Sequence, residues 1–294
     1  MEENNCFYIN SMGFRKCCDM YSILNHNVVN EYDFNNLKEN DILYIKTDAI
    51  YNFSKNINKI NNNFILVTGC SDYTIPNDMF PNIDEFINFV ENNKIIKWFV
   101  QNCVYKHNKI INLPIGLDYH TLHSQDFFWG PKATPIEQEK LLINIINKSK
   151  PFYQRETLIY SNCHFLINTK FGNDRLDAIN LIPPNLMKIE NNRILRIETW
   201  NNQTNCAFVL SPHGNGLDCH RTWEAIVLGC IPIVKKSSID ILYEDLPVLI
   251  VSNWSEINKE LLTNTINNFK SKNFNLEKLK LSYWLKKMNN FKIN

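Results

Sequence analysis

The chain lacks net charge: 31 Lys and Arg stand against 30 Asp and Glu in 294 residues, a balance of +1. Such a balance gives no global field for nucleic acid or an anionic membrane, so any anion must be gripped locally. An apolar run of about 18 residues, the length of a membrane span, is also missing. The opening "MEENNCFYIN" carries two acids and no apolar run, so no secretory signal is expected. None of the nine cysteines forms a CxxC pair. Without a signal they read as reduced, mostly buried thiols of a cytoplasmic protein. No repeat of fixed period is found.

What is present is an alternation of short apolar runs with helix-compatible segments. "DILYIKT" (41–47), "NFILVTG" (63–69), "IKWFVQN" (96–102) and "KIINLPIG" (109–116) read as buried strands. "TLIYSNCHF" (157–165), "KIE" (188–190), "CAFVLSP" (206–212), "CIPIV" (230–234) and "PVLIV" (247–251) read the same way. Between the two sets, a Pro-containing stretch with an amphipathic helix reads as a connection. Strands separated by helices predict parallel sheets. The expected fold class is α/β, with two Rossmann-like units facing a cleft: residues 1–150, including the connection, and residues 151–294, including a basic terminal helix.

One stretch departs from the Asn-, Ile- and Lys-rich background: "SPHGNGLDCHRTWEAIVLGCIPIV", residues 211–234. It reads as strand, glycine-bearing turn and helix, with Asn215 or Asp218 capping the helix start and Gly229 just past its end. Unpaired amides at a helix start favour an anion such as phosphate, and Gly214 and Gly216 would let backbone approach it. Trp223, Ile226, Val227 and Cys230 share a face suited to the core. Arg221 and Glu224 lie on another stripe. There Arg221 would back up a phosphate site, and Glu224 would accept hydrogen bonds from vicinal ribose hydroxyls. The plain alternative is an i, i+3 ion pair on a solvated face. A zinc site from Cys206, His213, Cys219, His220 and Cys230 fits no metal-ligand spacing.

At these residues the sequence resembles the exostosin-type glycosyltransferases of glycosyltransferase family 47. Supporting stretches are "LVTGCSDYTIP" (66–76), "INLPIGLDYHT" (111–121) and "NCHFLINTKFGNDR" (162–175). The compact soluble members of large DNA viruses and bacteria are the nearest in character. The resemblance implies the GT-B arrangement and an inverting transferase that moves a sugar, usually UDP-linked, to a carbohydrate hydroxyl without a catalytic metal. Xylose is the first expectation among several sugars. No Asp-x-Asp motif follows a strand, so leaving-group charge would be met by amides and arginines. Arg221 and Arg175 are the arginines expected there, with Ser211, His213, Gly214, Asn215 and Gly216 on the diphosphate and sugar side.

An inverting displacement also needs a base for the acceptor hydroxyl. Asp72, after "FILVTG", and Asp118, in "IGLDYH", are the two candidates, with His120 and His123 further off. Asp240 is expected to start a helix or touch sugar hydroxyls, and Trp254 and Glu256 to pack and cap. Two other readings stay open: a nucleotide-sugar binding module without catalysis, and a transferase using a GDP- or CMP-sugar.

Overall fold

Parallel strands buried on both faces need near-continuous apolar runs, and the runs singled out above become parallel strands, the central ones buried throughout and the edge ones only in part. The computed structural model describes residues 2–22 and 32–292, so the outer limits of the two expected units fall outside the described residues. The first half runs α1 (Ser11–Lys16), β1 (Asp41–Lys46), α2 (Ile50–Asn56), β2 (Phe64–Gly69), α3 (Ile83–Val90), β3 (Ile95–Val100), β4 (Ile110–Asn112), α4 (His120–Ser124) and α5 (Pro135–Lys148). The second runs β5 (Glu156–Ser161), α6 (Gly172–Leu181), β6 (Met187–Ile189), α7 (Arg196–Gln203), β7 (Cys206–Leu210), α8 (His220–Val227), β8 (Ile231–Lys235), β9 (Leu249–Val251), α9 (Lys259–Lys270) and α10 (Leu281–Asn289). All nine expected strands are found. Local chemistry sets the helix starts. Asn82 accepts from the Glu85 amide ahead of α3, and Thr134 and Glu137 form a reciprocal capping box around Pro135 at the head of α5.

β1-β2-β3-β4 form one parallel sheet and β6-β5-β7-β8-β9 a second. Every residue of the central strands β2 and β7 is buried. In the second sheet the chain leaves β5 for β6 on one side, then returns to place β7 on the other. The crevice beyond the carboxyl ends of β5 and β7 is therefore a switch point, where doubly wound sheets bind ligands.

One apolar cluster joins the two sheets, holding Val67 and Phe99 of the first together with Val209 of the second and Trp223 of α8. A second cluster around Phe53, Phe86 and Trp98 covers the other face of the first sheet. A third, around Phe208, Ile233 and Trp254, does so for the second.

The terminal helix α10 reaches back to the start of the chain. Trp284 of α10 packs edge-on against Phe14 of α1, and the backbone pairs Leu281 N with Phe7 O and Ile9 N with Leu279 O. Burying an aromatic of this size is worth roughly 1.5–3 kcal/mol. The two chain ends are thus tied together on the side of the first sheet.

Candidate functional site

The turn after β7 does not enter the helix directly. α8 begins only at His220, with Cys219 at the cap position and no side-chain cap. Neither Asn215 nor Asp218 caps it, contrary to expectation. Asp218 turns inward instead, accepting from the Ile115 amide at 2.7 Å, from Trp223 Nε1 at 2.8 Å and from the Tyr243 hydroxyl at 3.4 Å. Its own amide donates to Asn102 Oδ1 at 2.9 Å. Full burial pushes the Asp218 carboxyl up to about 6 despite those donors. Asp218 and Asn102 therefore fasten the turn to the first sheet, a role no local sequence signal gave. Gly229 follows the last turn of the helix at φ +72°, the left-handed position expected of it.

The glycines of the turn also serve the protein. A Cβ on Gly216 would lie 2.9 Å from Asn102 Nδ2 and 3.0 Å from the Asp72 carbonyl. One on Gly214 would lie 2.6 Å from Arg175 Nη2. The remaining polar atoms are largely consumed within the fold. Ser211 Oγ meets Thr222 Oγ1 at 2.8 Å, and the His213 amide donates to Asp174 at 3.1 Å. His213 Nδ1 meets the Leu217 carbonyl at 2.9 Å, and the Gly214 amide donates to Gly216 O at 3.0 Å. Ser211, His213, Gly214 and Gly216, expected to touch ligand, line no part of the cavity described next.

That cavity, of about 240 Å³, opens at the switch point. Asn162 and Cys163 reach it from the end of β5, Arg175 from α6, and Glu190 and Arg193 from the segment after β6. Arg196, Trp200 and Gln203 come from α7, and His220, Arg221 and Glu224 from α8. Asp118, Phe128 and Trp129 close it from the first half of the chain. The structure thus gathers Asp118, Arg175, Arg221 and Glu224, four of the expected site residues. Asp72 and Asn215 lie elsewhere, in a separate concavity with Lys46, Asp48 and Lys170. The chain holds six arginines, Arg15, Arg155, Arg175, Arg193, Arg196 and Arg221. Four of them line this one cavity and no lysine does.

Arg175 is 7% exposed and donates to the His213 carbonyl at 3.1 Å and to the Leu166 carbonyl. Burial, together with the neighbouring Arg221, pulls its pKa below the ordinary value. Among the described residues no carboxylate lies within ion-pair distance of Arg175 or Arg221. Two adjacent guanidiniums with no carboxylate in ion-pair contact are an electrostatic cost that an anion between them would relieve.

Arg196 is a different case. Its Nη2 stands 3.3 Å from Glu224 Oε1 and 3.7 Å from Asp118 Oδ2, and its plane lies over Trp129 at 4.1 Å. Glu224 is therefore neither solvated nor paired with Arg221, as the plain alternative required. Burial pushes its carboxyl up, against the pull of Arg196. Burial would also raise Asp118, but the imidazoles of His220 and His120 and the Arg196 guanidinium hold it well below the usual carboxylate range. Asp118 accepts from the Thr121 amide at 3.0 Å and its hydroxyl at 2.8 Å, which fixes its orientation. His120 Nδ1 lies 3.1 Å from Asp118, and His220 Nδ1 is bonded to the Gly116 carbonyl at 2.7 Å. Ligand-type atoms of Asp118, His120 and His220 fall within 4.8 Å of one another, a grouping unlike the cysteine-rich set considered from sequence. The nine cysteines are all free thiols.

His123 binds Glu3 Oε1 at 2.8 Å and so has a structural partner. Asp240 accepts from the Ser237 amide at 3.0 Å and starts a short 3-10 turn, and Glu256 closes a capping box with Asn253. Trp254 is buried and donates to Asp174 at 2.8 Å. Arg193 and Arg196 were missed from sequence. Their signal was scarcity, two arginines three apart in a chain that otherwise uses lysine.

A scan against protein-family models finds no match, and no curated protein matches the chain. The functional case therefore rests on the residues and their geometry. Among the described residues, no helix is long and apolar enough to cross a membrane.

Proposed function

We propose that the cavity binds the diphosphate of a nucleotide sugar and that the protein is a GT-B-type inverting glycosyltransferase, using a UDP-sugar and a carbohydrate acceptor. The observation that carries this reading is the convergence of Arg175, Arg193, Arg196 and Arg221 on a cavity at the switch point of a parallel sheet. Arg175 and Arg221 have charge to spare and take the diphosphate. Glu224, within the same cavity, takes the ribose hydroxyls. Arginines supply the charge stabilisation that a departing nucleoside diphosphate requires, with no metal called on. The free thiols suit a reducing, cytoplasmic compartment.

Of the two aspartates expected as base, Asp118 lines the cavity, so it takes the role. The acceptor hydroxyl attacks the anomeric carbon and its proton passes to the cluster that Asp118 forms with the His120 and His220 imidazoles. The bond from the anomeric carbon to the phosphate oxygen breaks, and UDP leaves toward the arginines. Configuration inverts because attack and departure are on opposite faces.

The test is a thermal-shift panel with UDP, GDP and CMP, followed by a UDP-sugar screen for UDP release. A ligand present at about 100 times its Kd stabilises the native state by roughly 2.7 kcal/mol. UDP is expected to raise Tm in the wild type and to do so much less in Arg221→Met. A panel in which no nucleotide moves Tm defeats the reading. A larger shift with GDP or CMP redirects it to another donor. UDP binding without release in the presence of any sugar donor leaves a binding module.

A further inference from the structure

The Asp118 cluster has a second capacity. Asp118 stands just before α4, His120 opens that helix, and His220 opens α8. One ligand-type atom from each falls within 4.8 Å of the others. Asp118 Oδ1 and His120 Nδ1 are 3.1 Å apart, and His120 closes no hydrogen bond among the described residues. Ligand atoms about 2.0–2.1 Å from a tetrahedral zinc ion stand roughly 3.4 Å from one another, so this pair already has the spacing of two ligands on one ion.

The contacts behind these groups are those that orient metal ligands. His220 Nδ1 is 2.7 Å from the Gly116 carbonyl, which only accepts, so the neutral ring carries its proton there and its lone pair on Nε2. The Asp118 carboxylate is held by the Thr121 amide at 3.0 Å and hydroxyl at 2.8 Å. A carbonyl behind an imidazole and donors behind a carboxylate fix ring and carboxylate for an ion. The His120 side chain is 38% exposed, which gives a cation its way in from solvent.

Charge decides which cation fits. The four arginines of the cavity oppose any ion held by charge alone. Arg196 lies 3.7 Å from Asp118 Oδ2, the oxygen not paired with His120, and shares its charge with Glu224 at 3.3 Å. Mg²⁺ and Ca²⁺ call for several oxygen ligands, and the cluster offers one carboxylate. Two imidazoles and a carboxylate suit Zn²⁺, which coordination bonds would hold, with the fourth position left to water. Thiols elsewhere compete poorly. Burial raises Cys17, Cys103 and Cys206 to about 11 and Cys230 to about 12, so they keep their protons at neutral pH.

We propose that Asp118, His120 and His220 form a Zn²⁺ site, and that the bound ion blocks transfer by occupying the lone pairs that would receive the acceptor's proton. The ion takes no part in the reaction. The block rests on the nucleotide-sugar reading, whereas the site does not.

The test titrates Zn²⁺ against a chromogenic chelator in the wild type, His120→Ala and His123→Ala, without nucleotide. His120→Ala removes a half-exposed ring with no hydrogen bond, so its ligand-free Tm should match the wild type. His123, bound to Glu3, serves as the control. The wild type and His123→Ala should each bind one more Zn²⁺ than His120→Ala. Thr121→Val, which removes the hydroxyl behind Asp118, should weaken that ion about ten-fold. UDP release by the wild type should fall over the same Zn²⁺ range and return when chelator is added. Mg²⁺ at equal concentration should leave release unchanged. Equal Zn²⁺ binding by the wild type and His120→Ala overturns the site. Binding that leaves release unchanged, or raises it, overturns the block. If no donor gives UDP release, the transferase reading fails, and the proposal stands or falls as a Zn²⁺ site on the chelator titration alone.

Discussion

The Arg196 guanidinium stands between two carboxylates from opposite halves of the chain, 3.3 Å from Glu224 and 3.7 Å from Asp118. It also bonds Gln138 Oε1 at 2.9 Å and lies over the rings of Trp129 and Trp200. All three charged side chains are nearly buried. Removing the cation leaves two carboxylates facing each other in low dielectric. Arg196→Met should therefore lower stability at pH 7 by roughly 3–5 kcal/mol, read from urea denaturation. The loss should shrink in acid, where the carboxyls take up protons. A loss below about 1 kcal/mol would mean that the cluster is effectively solvated.

Asp118 and Asp72 separate by position. Asp118 lines the cavity together with His220, whereas Asp72 faces a concavity with Lys46 and Lys170. Asp118→Asn should cut UDP release from the preferred donor and acceptor by about 10²–10⁴-fold, the usual worth of a general base. Asp72→Asn should stay within a few-fold of the wild type. The reverse ranking would move the chemistry to the other concavity.

Sheet and helix were legible because their signals are local. "FILV" and "CAFVL" are apolar without interruption, and both lie in fully buried central strands. Gly229 was legible for the same reason, since a helix end needs one left-handed residue there. The turn at 211–219 was misread where its partners are distant. Asp218 looks like a helix cap until Ile115 and Asn102 come within reach, and Gly216 looks like a ligand contact until Asn102 and Asp72 fill the space. Arg175, Arg221, Glu224 and Asp118 did converge, because each sits on the loop or helix into which a parallel strand leads. Arg196 needed the fold, since what recruits it is a pair of carboxylates far away in sequence.

Asp218 gives a signed pH dependence. Burial holds its carboxyl at about 6 against an ordinary 3.8, so the folded state binds this proton more tightly than the unfolded chain does. Its contribution is full below about pH 4 and is lost as pH rises through about 6. A shift of that size is worth roughly 2–3 kcal/mol over the window. Asp218→Asn has nothing to titrate there. It should be less stable overall, because an amide nitrogen would meet the Ile115 and Trp223 donors. The stability difference between wild type and variant should narrow as pH goes from 4 to 6.5. A constant difference across that window would mean that Asp218 stays ionised throughout, held by its donors against burial.

Gly214 and Gly216 are two residues apart, and their alanine variants should fail in different ways. At Gly214 the added Cβ meets Arg175 Nη2 at 2.6 Å and Cys219 Sγ at 3.3 Å. Arg175 is tethered to the His213 and Leu166 carbonyls, so its guanidinium must break a contact or tilt out of the cavity. Gly214→Ala should lose at least ten-fold in UDP affinity and much less in uridine affinity, because the displaced group serves the diphosphate. At Gly216 the Cβ meets Asn102 and the Asp72 backbone, which join the turn to the first sheet. Gly216→Ala should lose about 1–3 kcal/mol of stability, with the ratio of UDP to uridine affinity unchanged. Calorimetric titration of both ligands into both variants, with urea melts at the same pH, separates the two effects. Equal losses of UDP and uridine in Gly214→Ala would remove Arg175 from the diphosphate, and with it half of the uncompensated charge on which the nucleotide reading depends.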